Sequence, residues 1–174
     1  MKNRTAFIGA ILSLIPLGQP LIIKTGVVLS SSALTISLFE KVYAGDNSYY
    51  FKSAYDKGEK GDYYGAISDY TKAIEINPYD ESAYYNRGIS KGKLNDYYGA
   101  ISDYTKAIEI NPNKDEAYYN RGNRKLDIKD YYGAISDYTK AIEINPNDKS
   151  AYKNRGISKA NLKNYYGAIS DYTI

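Results

Sequence analysis

The sequence predicts an all-α fold built from repeated pairs of helices, and three observations predict it. One long string of residues begins at Tyr63, recurs unchanged from Tyr97 and from Tyr131, and starts again at Tyr165. The interval between successive copies is constant. Inside each copy, apolar residues recur at the spacing of one face of an α-helix. Because chance rarely produces such dense identity at a fixed period, the chain is predicted to stack similar units into a solenoid.

The repeated string contains the second helix of each unit. In the second unit, Ala100, Tyr104, Ala107 and Ile108 follow one another at helical intervals and form an apolar stripe. An Asp or Asn precedes each copy and suits the N-cap position, because its side chain can accept a bond from an unpaired backbone N–H. Each complete string ends in Asn-Pro, and proline disfavours helical backbone in the residue before it. The N-cap candidates are Asp62, Asp96, Asp130 and Asn164.

A first helix precedes each of these strings. It carries Ala-Tyr-Tyr-Asn-Arg-Gly at 83–88 and at 117–122, and Ala-Tyr-Lys-Asn-Arg-Gly at 151–156. In the second unit we expect this helix from Ala83 to about Leu94. Glycine inside a helix costs about 1 kcal/mol relative to alanine, so its recurrence at the repeat period predicts a close approach between the two helices. The expected contacts are Gly88 with Ala100, Gly122 with Ala134, and Gly156 with Ala168.

The N-terminal segment, residues 1–44, has a different composition. Lys2 and Arg4 precede an apolar segment, and a second apolar run brings the apolar region to residues 7–39. A basic start, an apolar segment and small residues before Gly45 fit a signal peptide cleaved after Ala44, which would place the protein in the periplasm or outside the cell. The alternatives are an uncleaved membrane anchor, with membrane contact through residues 7–39, and a cytosolic hydrophobic arm.

Composition excludes several classes of function. The chain has neither cysteine nor histidine, so it lacks thiolate nucleophiles, imidazole bases and Cys/His zinc sites. We therefore expect no catalytic residues, no metal and no cofactor, and the protein is not expected to be an enzyme. The net charge is +3 for the whole chain, and only +1 for residues 47–174, which hold 19 Lys/Arg and 18 Asp/Glu. Such a balance argues against nucleic-acid binding.

The period and the Gly…Ala-x-x-x-aromatic…Pro skeleton resemble the tetratricopeptide repeat family. The resemblance implies a right-handed superhelical solenoid of antiparallel helix pairs for the repeat domain (45–174), which follows the hydrophobic N-terminal leader (1–44). Tyr84 stands where the family has Trp, Arg87 where it has Leu, and Lys91 where it has a further aromatic residue; all three recur in the next two units. The units are 47–80, 81–114, 115–148 and an incomplete 149–174.

The resemblance also implies that the outward face of the first helices lines a concave groove for a peptide or partner protein. The expected function is a non-catalytic scaffold for protein–protein interaction, exported or tethered to a membrane. Asparagine can donate to and accept from a peptide backbone, and tyrosine offers a wide contact area. The alternative is that these residues are merely solvated. The candidate residues are Phe51, Lys52, Tyr55, Tyr85, Asn86, Ile89, Tyr119, Asn120, Asn123, Lys153, Asn154 and Ile157.

A recurring arginine is expected to serve the structure rather than a ligand. At about 100° per residue, Arg87 falls on the inward face of its helix, between Tyr84 and Leu94. A charge at that position needs a partner. We expect Arg–Asp ion pairs between helices, either within a unit or with the preceding unit. The residues are Arg87, Arg121 and Arg155, with Asp69, Asp103, Asp137 and Asp171.

The last unit gives an alternative function. Its string stops at Ile174, without the polar capping helix that terminal repeats usually carry. Ala168, Ile169 and Tyr172 are therefore expected to be partly uncovered. The alternative is a self-associating structural or assembly module that forms homo-oligomers through this C-terminal face.

Overall fold

The computed structural model describes residues 47–174, and eight helices follow one another within that range. The expectations for residues 1–44, including cleavage after Ala44 and membrane contact through 7–39, lie outside the described residues. The helices are α1 (helical over 47–59), α2 (Tyr63–Ile76), α3 (Glu81–Lys93), α4 (Tyr97–Ile110), α5 (Asp115–Asp127), α6 (Tyr131–Ile144), α7 (Lys149–Asn161) and α8 (Tyr165–Tyr172).

Side-chain caps fix the starts of the second helices, which are α2, α4, α6 and α8. Asp96 accepts a hydrogen bond from the backbone N–H of Gly99 at 2.9 Å, which satisfies one of the donors left open at a helix start. The other three caps, Asp62, Asp130 and Asn164, make the same bond. The predicted N-caps are confirmed.

The remaining helix ends also follow local signals. Asn111 ends α4 with extended backbone, as expected of a residue before proline. The first helix of the second unit begins at Glu81, two residues earlier than expected. Asp80 is the reason, because its side chain accepts from the backbone N–H of Ala83 at 3.0 Å and so caps the helix.

The two helices of each unit pack as an antiparallel pair, and each second helix also packs against the first helix of the next unit. The core between them consists of alanines, tyrosines and isoleucines. Ala100 and Ala107 are fully buried and Tyr104 is 3 % exposed, and the residues at the same positions of α2 and α6 are buried too. Removing this apolar surface from water is what holds neighbouring pairs together.

The recurring glycine faces a tyrosine ring of the second helix, and its expected contact with alanine stays a prediction. A Cβ atom built on Gly88 would lie 2.8 Å from Cε1 of Tyr104, closer than any real Cβ contact. Gly122 faces Tyr138 at the same distance. The tyrosine ring of the second helix lies against the first helix at this position, and only glycine leaves room for it.

The first helices, α1, α3, α5 and α7, lie on the inner side of the curve. α3 contacts α5 and α5 contacts α7, whereas no two second helices contact each other between residues 63 and 174. A stack whose units approach on one side only must curve toward that side. The outward faces of the first helices therefore line a concave surface. Among the helices of residues 47–174, none combines the length and the apolar character that a membrane span needs.

Candidate functional site on the first-helix face

The candidate site is the concave surface of α1, α3, α5 and α7, called the groove face below. Lys52, Tyr55 and Lys153 are exposed on it, and Tyr55 is 49 % accessible. The other predicted residues are half-buried, and their part in binding stays a prediction. They are Phe51, Tyr85, Asn86, Ile89, Tyr119, Asn120, Asn123, Asn154 and Ile157.

Tyr85 belongs both to the groove face and to the packing between units. Its ring lies 5.8 Å from the ring of Tyr104, and it packs on a buried cluster that includes Ala107 and Ile108. Its hydroxyl accepts a hydrogen bond from Nδ2 of Asn120 on the next first helix, at 2.8 Å. Burial is the main cause that raises the pKa of Tyr85.

The same polar link continues along the groove. Asn154 on α7 donates from Nδ2 to the hydroxyl of Tyr119 at 3.2 Å and to Oδ1 of Asn123 at 2.9 Å. The hydroxyl of Tyr138 donates to that same Oδ1 at 2.8 Å. Asn120 and Asn154, which the sequence offered as contacts for a peptide backbone, thus already join consecutive first helices.

The junction between α1 and α3 lacks this link. Phe51 occupies the position of Tyr85 and Tyr119 and has no hydroxyl, and its ring packs 5.5 Å from that of Tyr70. Asn86, at the position of Asn120 and Asn154, donates instead to the carbonyl of Ser82 in its own helix at 2.8 Å.

Each recurring arginine joins three helices. Arg87 donates from Nε and Nη2 to the two carboxylate oxygens of Asp103, at 2.9 and 2.8 Å, so the carboxylate partner lies in the same unit. Its Nη1 donates to Oγ1 of Thr71 in the preceding unit at 3.0 Å. Arg121 and Arg155 repeat both contacts, with Asp137 and Thr105 and with Asp171 and Thr139.

Each of these aspartates also contacts a lysine, and the sequence analysis did not predict that second cation. Nζ of Lys91 lies 2.8 Å from Asp103, and Lys125 and Lys159 lie at the same distance from their aspartates. The signal was present, because these lysines recur where the family has an aromatic residue. Burial alone would raise the pKa of Asp171, but hydrogen bonds from Arg155 and Lys159 outweigh it and hold that pKa below its ordinary value.

The first unit balances its aspartate without an arginine. Asp69 accepts from Lys57, from Ser53 and, more weakly, from Lys72 at 3.3 Å, so it is not among the partners of the three arginines. Burial of Asp69 would raise its pKa, and these donors lower it overall. Ser53 stands at the position of Arg87. A neutral donor is sufficient there because Lys57 supplies the positive charge that balances Asp69.

The C-terminal face is only partly uncovered. Ala168 is 3 % exposed, contrary to expectation, because its side of α8 packs against α7. Ile169 is 59 % and Tyr172 is 52 % exposed, whereas Tyr138, which occupies the position of Tyr172 one unit earlier, is fully buried. An open pocket of about 430 Å³ lies there between Tyr152, Ile157 and Tyr172.

A stack of capped helix pairs with a concave first-helix face defines a helical-repeat solenoid. Comparison with known families gives the class its name. The family model described as tetratricopeptide repeat matches residues 82–114 and 115–148, and the one described as TPR repeat matches 58–94. The chain belongs to the tetratricopeptide repeat family.

Solved structures show the same fold at low sequence identity. MamA is 23% identical, with a TM-score of 0.72 over 79% of this chain and 82% of its own. The first TPR domain of Spaghetti (RPAP3), bound to the HSP90 peptide SRMEEVD, is 24% identical, with a TM-score of 0.67 over 68% of this chain and 94% of its own. The Arabidopsis OM64 TPR domain is 23% identical, with a TM-score of 0.66 over 68% of this chain and 98% of its own.

No curated protein sequence matches this chain at a significant level. At such low sequence identity, the structural neighbours establish the fold alone. Any ligand of this chain must therefore be argued from its own residues.

Proposed function

We propose that this protein is a non-catalytic scaffold that binds a peptide or a segment of a partner protein along the groove face. In this proposal the helix pairs wind into a right-handed superhelix, which would give an extended ligand a continuous concave surface. Proteins of this family generally mediate protein–protein interactions.

The contrast between the two kinds of helix carries the proposal. Residues 97–112 are identical to 63–78 and to 131–146, so the second helices present the same outer surface three times. The groove face instead differs from unit to unit, although it lies on the same repeated framework. The predicted groove residues occupy three positions in each unit. The first position is occupied by Phe51, Tyr85, Tyr119 and Lys153 in successive units, and the third by Tyr55, Ile89, Asn123 and Ile157. Recognition of an asymmetric ligand requires differences of this kind on the concave face, and the second helices do not provide them on their repeated outer surface.

One of the similar solved structures supports a peptide as the kind of ligand that the groove face binds. The Spaghetti TPR domain is bound to an HSP90 peptide, which shows that a fold of this kind holds a short peptide. We extend to this chain only the class of ligand, a peptide, and neither that sequence nor its contacts.

We further propose that the scaffold acts outside the cytoplasm after cleavage following Ala44, or at a membrane if the leader is retained. The basic start and the apolar region of residues 7–39 support export. N-terminal sequencing of the protein from its native cell fraction decides the matter. A mature chain beginning at Gly45 supports cleavage, and an intact N-terminus in a soluble cytosolic fraction would sink both forms of the proposal.

A matched pair of double variants tests the groove. Tyr55→Ala with Lys153→Ala removes two exposed groove side chains, and Tyr98→Ala with Lys106→Ala removes the same residue types from the outer face of α4. All four side chains are exposed, so both variants should melt within a few degrees of the wild type. In affinity capture from the native cell fraction, the groove variant is expected to lose the partners that the wild type retains. Equal retention by both variants would count against the groove.

Exposure on α8 favours a second candidate function, self-association. Ile169, Tyr172 and Ile174 are each more than half exposed, and two copies could cover this surface by packing through α8. Light scattering on the same variants separates the candidates. A monomer at high concentration argues against self-association. Self-association is favoured over the groove if the protein is a dimer, if Tyr172→Ser dissociates that dimer, and if neither double variant loses captured partners.

A further inference from the structure

Two junctions of the groove face show how consecutive first helices meet. Asn120 reaches the hydroxyl of Tyr85 in the preceding unit, and Asn154 reaches both Tyr119 and Asn123. The asparagine of one unit therefore stands opposite the first groove position of the preceding unit, and at the junction of α5 and α7 it reaches the third position as well.

By the same relation, we expect Asn86 opposite Phe51, with Tyr55 one helical turn further along α1. Phe51 offers no polar atom, and between residues 47 and 174 the only hydrogen bond from the Asn86 side chain is the one to the carbonyl of Ser82. An asparagine amide has two N–H donors and a carbonyl acceptor, so Asn86 keeps one donor and its acceptor for another group. The asparagines of the later units are bonded to the preceding helix instead.

Aromatic and aliphatic residues occupy the predicted groove positions next to Asn86, with Lys52 beside them on α1. Phe51 and Tyr55 lie across the junction, and Ile89 follows Asn86 by three residues on the same helix face. Phe51 is held in place by its packing on Tyr70, and Tyr55 is half exposed. An aromatic and aliphatic patch beside one unused amide suits a peptide that offers an apolar side chain next to a backbone amide.

The two lysines predicted on the groove face are placed too far apart to clamp one acidic ligand end. Lys52 and Lys153 lie on α1 and α7, three helix-to-helix steps apart. At 8–10 Å a step this is roughly 24–30 Å, so the two cannot hold one carboxylate together. None of the predicted groove residues on α3 and α5 is charged.

We propose that the junction of α1 and α3 is the part of the groove that recognises the ligand, and that it takes an extended, uncharged peptide segment. Asn86 pairs with a backbone amide of that segment, and an apolar side chain lies on Phe51, Tyr55 and Ile89. The inference rests on the proposed groove function and narrows it to one junction and one ligand chemistry.

Selection from a library of displayed heptapeptides on the purified full chain provides the probe. The selected sequences are synthesised with acetylated and amidated ends, labelled with fluorescein, and titrated by anisotropy. Enrichment of Val, Leu, Ile or Phe with depletion of Asp and Glu is expected, and removal of the free carboxylate should leave affinity unchanged.

Three variants then test the junction. Asn86→Ala removes the unused amide and is expected to weaken binding about tenfold, because a buried ligand amide loses its partner. Phe51→Tyr supplies the hydroxyl that Asn86 lacks, so it should engage that amide as Tyr85 engages Asn120. It should therefore weaken binding while raising the melting temperature, a combination that a purely structural role would not give. Ser102→Ala, exposed on α4, is the control and should change neither.

The outcomes separate the inference from the function on which it rests. Selected peptides rich in Asp or Glu, dependence on a free carboxylate, or affinity within twofold of wild type for Asn86→Ala would overturn the inference and leave the groove function standing. A different result would overturn both the inference and the groove function: the selection yields no peptide whose binding is reduced by Tyr55→Ala with Lys153→Ala.

Discussion

A tyrosine ring explains why glycine recurs inside the first helices. The sequence could predict a close approach at Gly88, because glycine inside a helix is costly and the cost is repeated at Gly122 and Gly156. It could not predict which side chain fills the space. Spacing along a helix gives the face of a residue, whereas the tilt of the Tyr104 ring onto Gly88 depends on how the two helices cross.

Two glycine-to-alanine substitutions test whether the tyrosine ring is the reason for the recurring glycine. At Gly122 a new methyl group would lie 2.8 Å from the ring of Tyr138, which is fully buried and has no room to move. We expect Gly122→Ala to lower the free energy of unfolding by about 1–2 kcal/mol, since overpacking outweighs the gain in helix propensity.

Gly92→Ala is the matched control. There the new methyl group would meet only the flexible side chain of Arg124, at 3.4 Å. Its helix propensity should raise the free energy of unfolding by up to about 1 kcal/mol. Urea denaturation of both variants provides the measurement. The same sign for both changes would contradict the role given to the tyrosine ring.

Pairs of helices are joined by buried charge as well as by apolar contact. Arg121 lies on α5, its carboxylate partner Asp137 on α6, and its hydroxyl partner Thr105 on α4, so a single guanidinium spans two units. The sequence predicted the Arg–Asp partnership from the inward position of the arginine. It left the choice of unit open, because an aspartate stands at the same helix position in every copy of the string.

Replacing one arginine tests how much this ion pair between helices contributes to stability. Arg121→Met keeps the apolar stem but leaves Asp137, which is 2 % exposed, with Lys125 alone. We expect the free energy of unfolding to fall by about 2–3 kcal/mol, somewhat less than when a buried charge loses its only partner. Chemical denaturation at neutral pH measures the change.

The exposed ion pair of α4 supplies the comparison. Lys106 and Glu109 are both more than half accessible, so Lys106→Met should shift the free energy of unfolding by no more than about 0.5 kcal/mol. A loss at Arg121 as small as the loss at Lys106 would show that the buried pair does not hold the units together.

The second helices repeat one outer surface, whereas most positions of the groove face differ between units. The period, the caps and the Asn-Pro ends let the sequence predict eight helices in pairs, since each is a local signal. The groove face could be assigned through resemblance, but its internal bonding could not. Asn120 and Tyr85 meet because α3 and α5 approach each other on the concave side, and that approach belongs to the curvature of the whole stack.

Site-specific photo-crosslinking tests the central claim, that partners bind the first-helix face, most directly. The photoreactive residue p-benzoylphenylalanine replaces Tyr55 on the groove face or Tyr98 on the outer face of α4, in cells that produce the full chain. Tyr98 is 74 % exposed and Tyr55 49 %, so non-specific encounters would favour position 98. We expect a discrete partner adduct from position 55 and none from position 98. A partner adduct from position 98 alone, or equal adducts from both, would contradict it.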